Sequence, residues 1–249
     1  AFILIRNSLK AENPKVRYAA LCHIVQKDDF SETALLLPLL DDENETIRVQ
    51  TAAALARVGT AKLVDTLYER LAKIPKEESK LRATLVQTIG ELSELDDLPK
   101  IMPLLKDEDD RVRANAVEAV DSLYRNDFLS RMSTLLEDSN NRVRGNAIVA
   151  LWRYKAEDCL EVLKQMLSSG NKWFKLSGIW AAGETKAPKA LREIVCLADD
   201  ADPDVRIFVI KTIANNFSLD VRAVLERASK DDDTTVAYYA RKALDSINE

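Results

Sequence analysis

Apolar and polar positions along this chain follow a period much longer than a single helix. An apolar residue, in most cases followed by arginine, recurs at Val16, Ile47, Leu81, Val112, Val143, Phe174, Val205 and Val236; the successive spacings are 31, 34, 31, 31, 31, 31 and 31 residues. A register held this long identifies an internal repeat, which has to be recognised before local elements are assigned. With these residues as position zero, the column eleven residues earlier reads Ile5, Leu36, Ile101, Met132, Leu163, Ile194 and Leu225. Leu67 fills it in the third repeat once three extra residues are placed between Ala72 and Lys80. Seven residues before zero stand Leu9, Leu40, Leu105, Leu136 and Leu167. Two aliphatic columns four residues apart make the stripe of an amphipathic helix, the A helix of each repeat.

Three residues before zero come Asn13, Asn44, Glu78, Asp109, Asn140, Asn171, Asp202 and Asp233. All but Glu78 are strong N-caps, because their side-chain oxygens accept from the free N–H groups of a helix start. Pro14 and Pro203 follow at the first helical position, where a missing N–H costs least. A second, B helix therefore begins in every repeat. Position +4 is mostly small (Ala20, Thr51, Ala116, Ala147, Gly178, Ala240), as is +7 (Ala54, Ala119, Ala150, Ala181, Ala243), while +8 is mostly larger (Ile24, Leu55, Ile89, Val120, Leu151, Ile213, Leu244). Small residues let neighbouring helices approach and the larger ones fill the seam. A hairpin of this size cannot bury its apolar faces alone, so the pattern predicts an α-solenoid. The expectation is one domain over residues 1–249, with repeats at about 1–27, 28–58, 59–94, 95–125, 126–155, 156–185, 186–216 and 217–249. The stretch from Asp138 to Leu151 is its most regular unit.

Composition agrees with that class. The chain is 47% hydrophobic and 31% charged with six Gly and seven Pro, too apolar for disorder and too poor in turn residues for an all-β protein. A net charge of −5 argues against a general nucleic-acid or membrane-surface binder. Cys22, Cys159 and Cys196 are odd in number and lie in apolar segments, so they read as buried, reduced thiols. No apolar run approaches the ~18 residues of a membrane span. Phe2-Ile3-Leu4-Ile5 is short and lacks a signal cleavage site. A reducing cytoplasm is the expected compartment. The last B helix, with Arg241, Lys242, Asp245, Asn248 and Glu249, is polar enough to cap a stack. The apolar first helix and the opening Ala1 suggest a fragment of a longer protein that continues upstream.

A-helix leucines, then an aspartate, then Val-Arg-x-x-Ala-x-x-Ala-Leu: in this the chain resembles the HEAT repeat. The ~31-residue period resembles its short bacterial form, seen also in phycobilin-lyase-like proteins. The resemblance implies a right-handed α-α superhelix of the HEAT/armadillo kind, eight helical hairpins, all α. It also implies a ladder of turn aspartates and second-helix arginines, present here as Asp42/Arg48, Asp107/Arg113, Asp138/Arg144 and Asp200/Arg206. The first repeat has Ala11 for the aspartate, the last Ala237 for the arginine, the third Lys76, and the sixth Ser169 and Lys175. Turn-locking is the expected role of these charges.

Signals for chemistry are thin. His23 is the one histidine and reads as structural; the His–Glu pairs that hold iron in deoxyhypusine hydroxylase, another HEAT-repeat protein, are absent. There is no zinc spacing, phosphate-cradling glycine loop or nucleophile elbow. Neither a metal nor a cofactor is expected, and the carboxylate runs sit in turns as solvated caps. A phycobilin-lyase-like or other ligand-handling activity stays open, since it would rest on groove shape. A DNA-binding role would want a basic concave face and is less favoured.

At 100° per residue, positions 0, +4, +7 and +8 of each B helix face inward and +3, +6 and +10 face outward, toward the concave groove that B helices line in HEAT-like stacks. Through the middle of the chain those columns are polar: Gln50, Arg57, Thr84, Gln87, Glu91, Asn115, Glu118, Ser122, Asn146 and Arg153. Further on they become Ser177, Trp180 and Glu184, then Phe208, Lys211 and Asn215, then Tyr239 and Lys242. Aromatics flanked by basic residues are the composition of binding hot spots, and cation–π contacts can add to it. Trp173, where the repeat rule breaks, fits either packing or binding; Trp152 reads as inter-repeat packing. The expected function is a protein-interaction scaffold whose partner, another protein or peptide, is held by Trp180, Phe208, Lys211, Tyr239, Lys242, Arg153, Asn146 and Trp173.

Overall fold

A computed structural model describes residues 2–27, 32–123, 131–216 and 221–248. Among them every regular element is helical. Glu249 and the side chains of Phe2 and Asn248, part of the expected end faces, lie outside the described residues. The chain divides into two compact units, Ala1–Arg125 and Asn126–Glu249. In the first, α1 (Phe2–Leu9) and α2 (Pro14–Lys27) form a hairpin, and α3 (Glu45–Val58) follows a 3₁₀ segment at Leu37–Asp41. Next come α4 (Val64–Leu71) with α5 (Ser79–Leu92), then α6 (Leu98–Ile101), a 3₁₀ segment at Met102–Lys106, and α7 (Asp110–Ser122). In the second, a 3₁₀ segment at Ser133–Glu137 leads to α8 (Asn141–Leu151). Three pairs follow: α9 (Ala156–Leu167) with α10 (Lys172–Thr185), α11 (Pro188–Ile194) with α12 (Pro203–Ala214), and α13 (Arg222–Ala228) with α14 (Thr234–Asn248).

The B helices pack on one another in chain order within each unit: α2, α3, α5 and α7 in the first, α8, α10, α12 and α14 in the second. The core is the set of columns read from the sequence. Leu36, Leu67, Ile101, Met132, Leu163, Ile194 and Leu225 are buried, as are Leu9, Leu40, Leu105, Leu136 and Leu167. Position zero is buried from Ile47 to Leu81, Val112, Val143, Val205 and Val236, whereas Val16 and Phe174 stay partly exposed. Thr88 stands in the small column, and its hydroxyl donates to the Ala52 carbonyl of α3 at 2.9 Å, which satisfies a buried polar group.

The A segments depart from the expected helices. In the second and fourth repeats they finish as 3₁₀ turns that carry Pro38 and Pro103 near their starts. Proline lacks the N–H an α-helix would use and clashes with the preceding turn, so the chain tightens there. The segments Ser133–Glu137 and Val195–Asp199 do the same without a proline.

B helices start where the caps predict. Asn44, Asp109, Asn140 and Asp233 each accept from two backbone N–H groups, and Asn13, Asn171 and Asp202 from one. Glu78 makes no side-chain cap, and its carboxylate instead holds Arg48 at 2.7 Å.

That contact shows how the charge ladder is built. Within a repeat the arginine donates to turn carbonyls: Arg48 to Asp42 and Glu43, Arg206 to Asp200 and Ala201. The turn carboxylate serves the preceding repeat: Arg17 reaches Asp42, Arg82 reaches Asp107, Lys175 reaches Asp200 and Arg206 reaches Asp231, at 2.6–2.8 Å. Where Lys76 replaces the aspartate, Glu78 takes its place. Where Ser169 replaces it, Arg144 lies over the Phe174 ring at 5.3 Å. The Ser169 hydroxyl still accepts from Asn171 N at 3.1 Å, so it keeps the turn while leaving the rung without a carboxylate.

Candidate functional site

The outward side of α10 and α12 is where the two helices differ most from the rest. Both contribute the same four columns, −1, +2, +3 and +6: Trp173, Leu176, Ser177 and Trp180 from α10, and Asp204, Ile207, Phe208 and Lys211 from α12. With Lys172 these residues line one open cleft of about 460 Å³. Trp173 is 64% exposed, and Trp180 and Phe208 are half-buried in the walls.

Helix α8 props the cleft from behind. A side chain at Gly145 would meet the Trp180 ring at 3.5 Å, an ordinary contact, and press on the Ser177 carbonyl at 3.3 Å, so glycine eases the approach of α8 to the backbone of α10. Asn141 of α8 donates to the Trp173 carbonyl (3.2 Å) and the Ser177 hydroxyl (2.6 Å), which fixes the first turn of α10. At the mouth, the Lys172 ammonium lies 2.5 Å from Asp204 and 3.0 Å from Asp202. Those carboxylates, Asp204 foremost, hold its pKa above the ordinary lysine value. On the other wall, Lys211 sits 3.9 Å over the ring of Tyr239, a cation–π contact. Tyr239 in turn meets Tyr238 edge to face, with centroids 5.3 Å apart.

The cleft thus brings together Trp173, Trp180, Phe208 and Lys211 of the residues expected from the sequence. Tyr239 and Lys242 lie on α14, outside the lining, and the Tyr239 ring meets the wall at Lys211. Two expectations need correction. Asn146 is 4% exposed, because the +3 column leans on the preceding B helix; its counterpart Asn115, also buried, donates to the Ala83 carbonyl at 2.7 Å. Arg153 is exposed but not on a helix face, since α8 ends at Leu151 and Arg153 falls in the following turn. Sequence reasoning passed over Lys172, Leu176, Asp204 and Ile207. The available signal was the return of large aliphatic residues at +2 in two successive repeats after the small Ala83, Ala114 and Gly145, a column that also holds Tyr18 and Val49 in the first two repeats.

A second cleft, about 420 Å³, lies between α5 and α7 and is lined by Gln87, Glu91, Asn115, Glu118 and Ser122, with Gly90 and Ala119 at its floor. Elsewhere, His23 is exposed at the helix surface. Cys159 is fully buried, and burial pushes its thiol up to about 12. Cys196 is exposed, contrary to expectation, because the 3₁₀ turn at Val195–Asp199 faces it outward. Among the described residues no His, Cys, Asp and Glu group is placed to hold a metal ion, and no helix is long and apolar enough to cross a membrane.

Known proteins place this architecture. Residues 4–78 and 128–200 match the model of the HEAT repeats, and residues 98–126 match that of the single HEAT repeat. No curated protein matches the chain in sequence. Among solved structures, it is similar to a chain of the CpcE–CpcF complex of phycocyanin lyase from Nostoc sp., with a TM-score of 0.60 and 17% identity over 98% of this chain and 93% of that one. It is also similar to YibA of Escherichia coli, with a TM-score of 0.54 and 18% identity over 98% and 91%. At such identities the likeness is one of fold. With the family model covering more than half of its length, the chain belongs to the HEAT-repeat family.

Proposed function

We propose that the chain is a protein-binding module, and that the cleft between α10 and α12 receives large apolar side chains of its partner. One observation carries this reading: Trp173, 64% exposed, stands beside Trp180 and Phe208 in an open cleft that Leu176 and Ile207 also line. Exposed tryptophan is costly in water and is the residue type that dominates binding energy at interfaces. A solenoid of stacked hairpins offers such a surface on a rigid frame, since each repeat is held by its neighbours.

The test is a photo-crosslinking amino acid at position 177 inside the cleft, compared with one at position 87 in the polar cleft. The expected result is a discrete cross-linked protein from position 177 that disappears in Trp180→Ala/Phe208→Ala and in Trp173→Ala. The last variant removes a side chain that is mostly in solvent, so its folding is the least disturbed. No product at position 177, or equal products at both positions, would overturn the reading. The rival, a ligand-handling lyase, has its own readout: a linear tetrapyrrole that gains a shifted absorption band on the wild-type chain and not on Trp180→Ala.

A further inference from the structure

The charges around the cleft are distributed unevenly, and that asymmetry names the chemistry of the partner. At the α10 mouth the cation is spent: Lys172 is neutralised by Asp204 and Asp202. Asp204, the one carboxylate of the lining, is spent in the same contact. On the opposite wall Lys211 rests on an aromatic ring, which orients the ammonium but carries no compensating charge. Lys242 is exposed at the same column (+6) of the next repeat. Lys211 reaches over Tyr239 of α14, the helix that also carries Lys242 three residues further on, so both cations belong to the side of the cleft away from α10. A basic pair therefore borders one side of an apolar cleft in a chain whose net charge is −5.

Resting on the binding reading above, we propose that the occupant is a protein segment with a large apolar or aromatic anchor followed by acidic residues. The anchor enters between Trp180 and Phe208, and the carboxylates run over Lys211 and Lys242. The wall tolerates no equivalent cation there, because an incoming lysine or arginine would face two ammonium groups with no carboxylate of the lining left to receive it. Like charges opposed across an interface act against the wrong partner, which is how a shallow site gains selectivity.

The experiment is selection from a peptide-display library on the purified full chain, followed by anisotropy titrations of the enriched peptides. The expected peptides carry Trp, Phe or Leu with at least two Asp or Glu on one side. Their affinity should fall about tenfold or more in Lys211→Glu/Lys242→Glu and on raising salt from about 50 to about 500 mM. Replacing the peptide's acids by lysines should restore binding to that double variant while abolishing it to wild type, a rescue that a misfolded variant could not give. Enriched peptides with neutral or basic flanks, still lost in Trp173→Ala, would overturn the charge assignment and leave the cleft as the binding site. Peptides indifferent to Trp173→Ala, or no enrichment at all, would overturn both.

Discussion

Two clefts between successive B helices have similar volumes, but one lies toward the C-terminal halves of α5 and α7 and the other toward the N-terminal halves of α10 and α12, and their chemistry is opposite. Between α5 and α7 the walls are Gln87, Glu91, Asn115, Glu118 and Ser122. Between α10 and α12 they are mainly Trp173, Leu176, Trp180, Ile207 and Phe208. The supporting columns are buried behind both but not by the same residues: Leu81, Leu85, Ile89 and Val112, Ala116, Val120 in one, and Gly178, Ala182 beside a half-exposed Phe174, with Val205, Val209, Ile213, in the other. Folding is carried mainly by one face of each B helix, and much of the opposite face changes character between repeats; Asn115, buried and bonded to the Ala83 carbonyl, is an exception. Glycine is used differently as well. At Gly90 a Cβ would collide with Ala119 of α7, whereas at Gly145 it would only press on the Ser177 carbonyl and touch the Trp180 ring at ordinary contact.

Four measurements would break or sharpen this contrast. The largest effect is expected from Trp180→Ala, which should weaken peptide binding by ten- to a hundredfold, of the order of 2–3 kcal/mol. The paired control, Gln87→Ala in the polar cleft, should leave the titration unchanged.

Next is Gly90→Ala. The new Cβ would fall 2.5 Å from Cβ of Ala119, so the helices must separate. A cost of about 1–3 kcal/mol is expected, read as a lower Tm. Gly145→Ala meets nothing closer than 3.3 Å and gains helix propensity, so its Tm should change little while tryptophan fluorescence shifts.

The third concerns the ladder. The Arg206 guanidinium holds the Asp231 carboxyl below its ordinary pKa, against the opposing effect of partial burial. A depressed carboxylate contributes stability that is present above its unfolded pKa and is lost as pH falls through the folded one. Asp231→Asn should therefore lower Tm clearly at pH 7 and much less near pH 3, about a unit below the ordinary aspartate value. An equal drop at both would show that the ion pair is not the cause.

The smallest effect is a gain. Ser169→Asp restores the missing rung opposite Arg144, and about 0.5 kcal/mol of stabilisation is expected at neutral pH. No gain would mean that the Phe174 ring already satisfies Arg144.

Part of the candidate site was legible in the sequence. Trp180, Phe208 and Lys211 follow from 100° per residue and a fixed repeat register, and Trp173 marks the break in that register. Tyr239 shares the column of Phe208 but does not reach the lining; what it carries is the Lys211 ammonium. Asn146 was misplaced because a helical wheel gives the direction of a side chain from its own axis and says nothing of what stands there. At the counterpart position, the Ala83 carbonyl of the preceding B helix stands against Asn115.

The repeat, the caps and the buried columns were determined by the sequence itself, because they depend on hydrogen bonds and periodicities within a single helix. The meeting of −1, +2, +3 and +6 from two helices in one cleft, the passing of each turn carboxylate to the preceding repeat, and the substitution of Glu78 for an aspartate were decided only by tertiary structure. These features depend on how far apart neighbouring axes lie and how they are turned, and many side chains share in setting that.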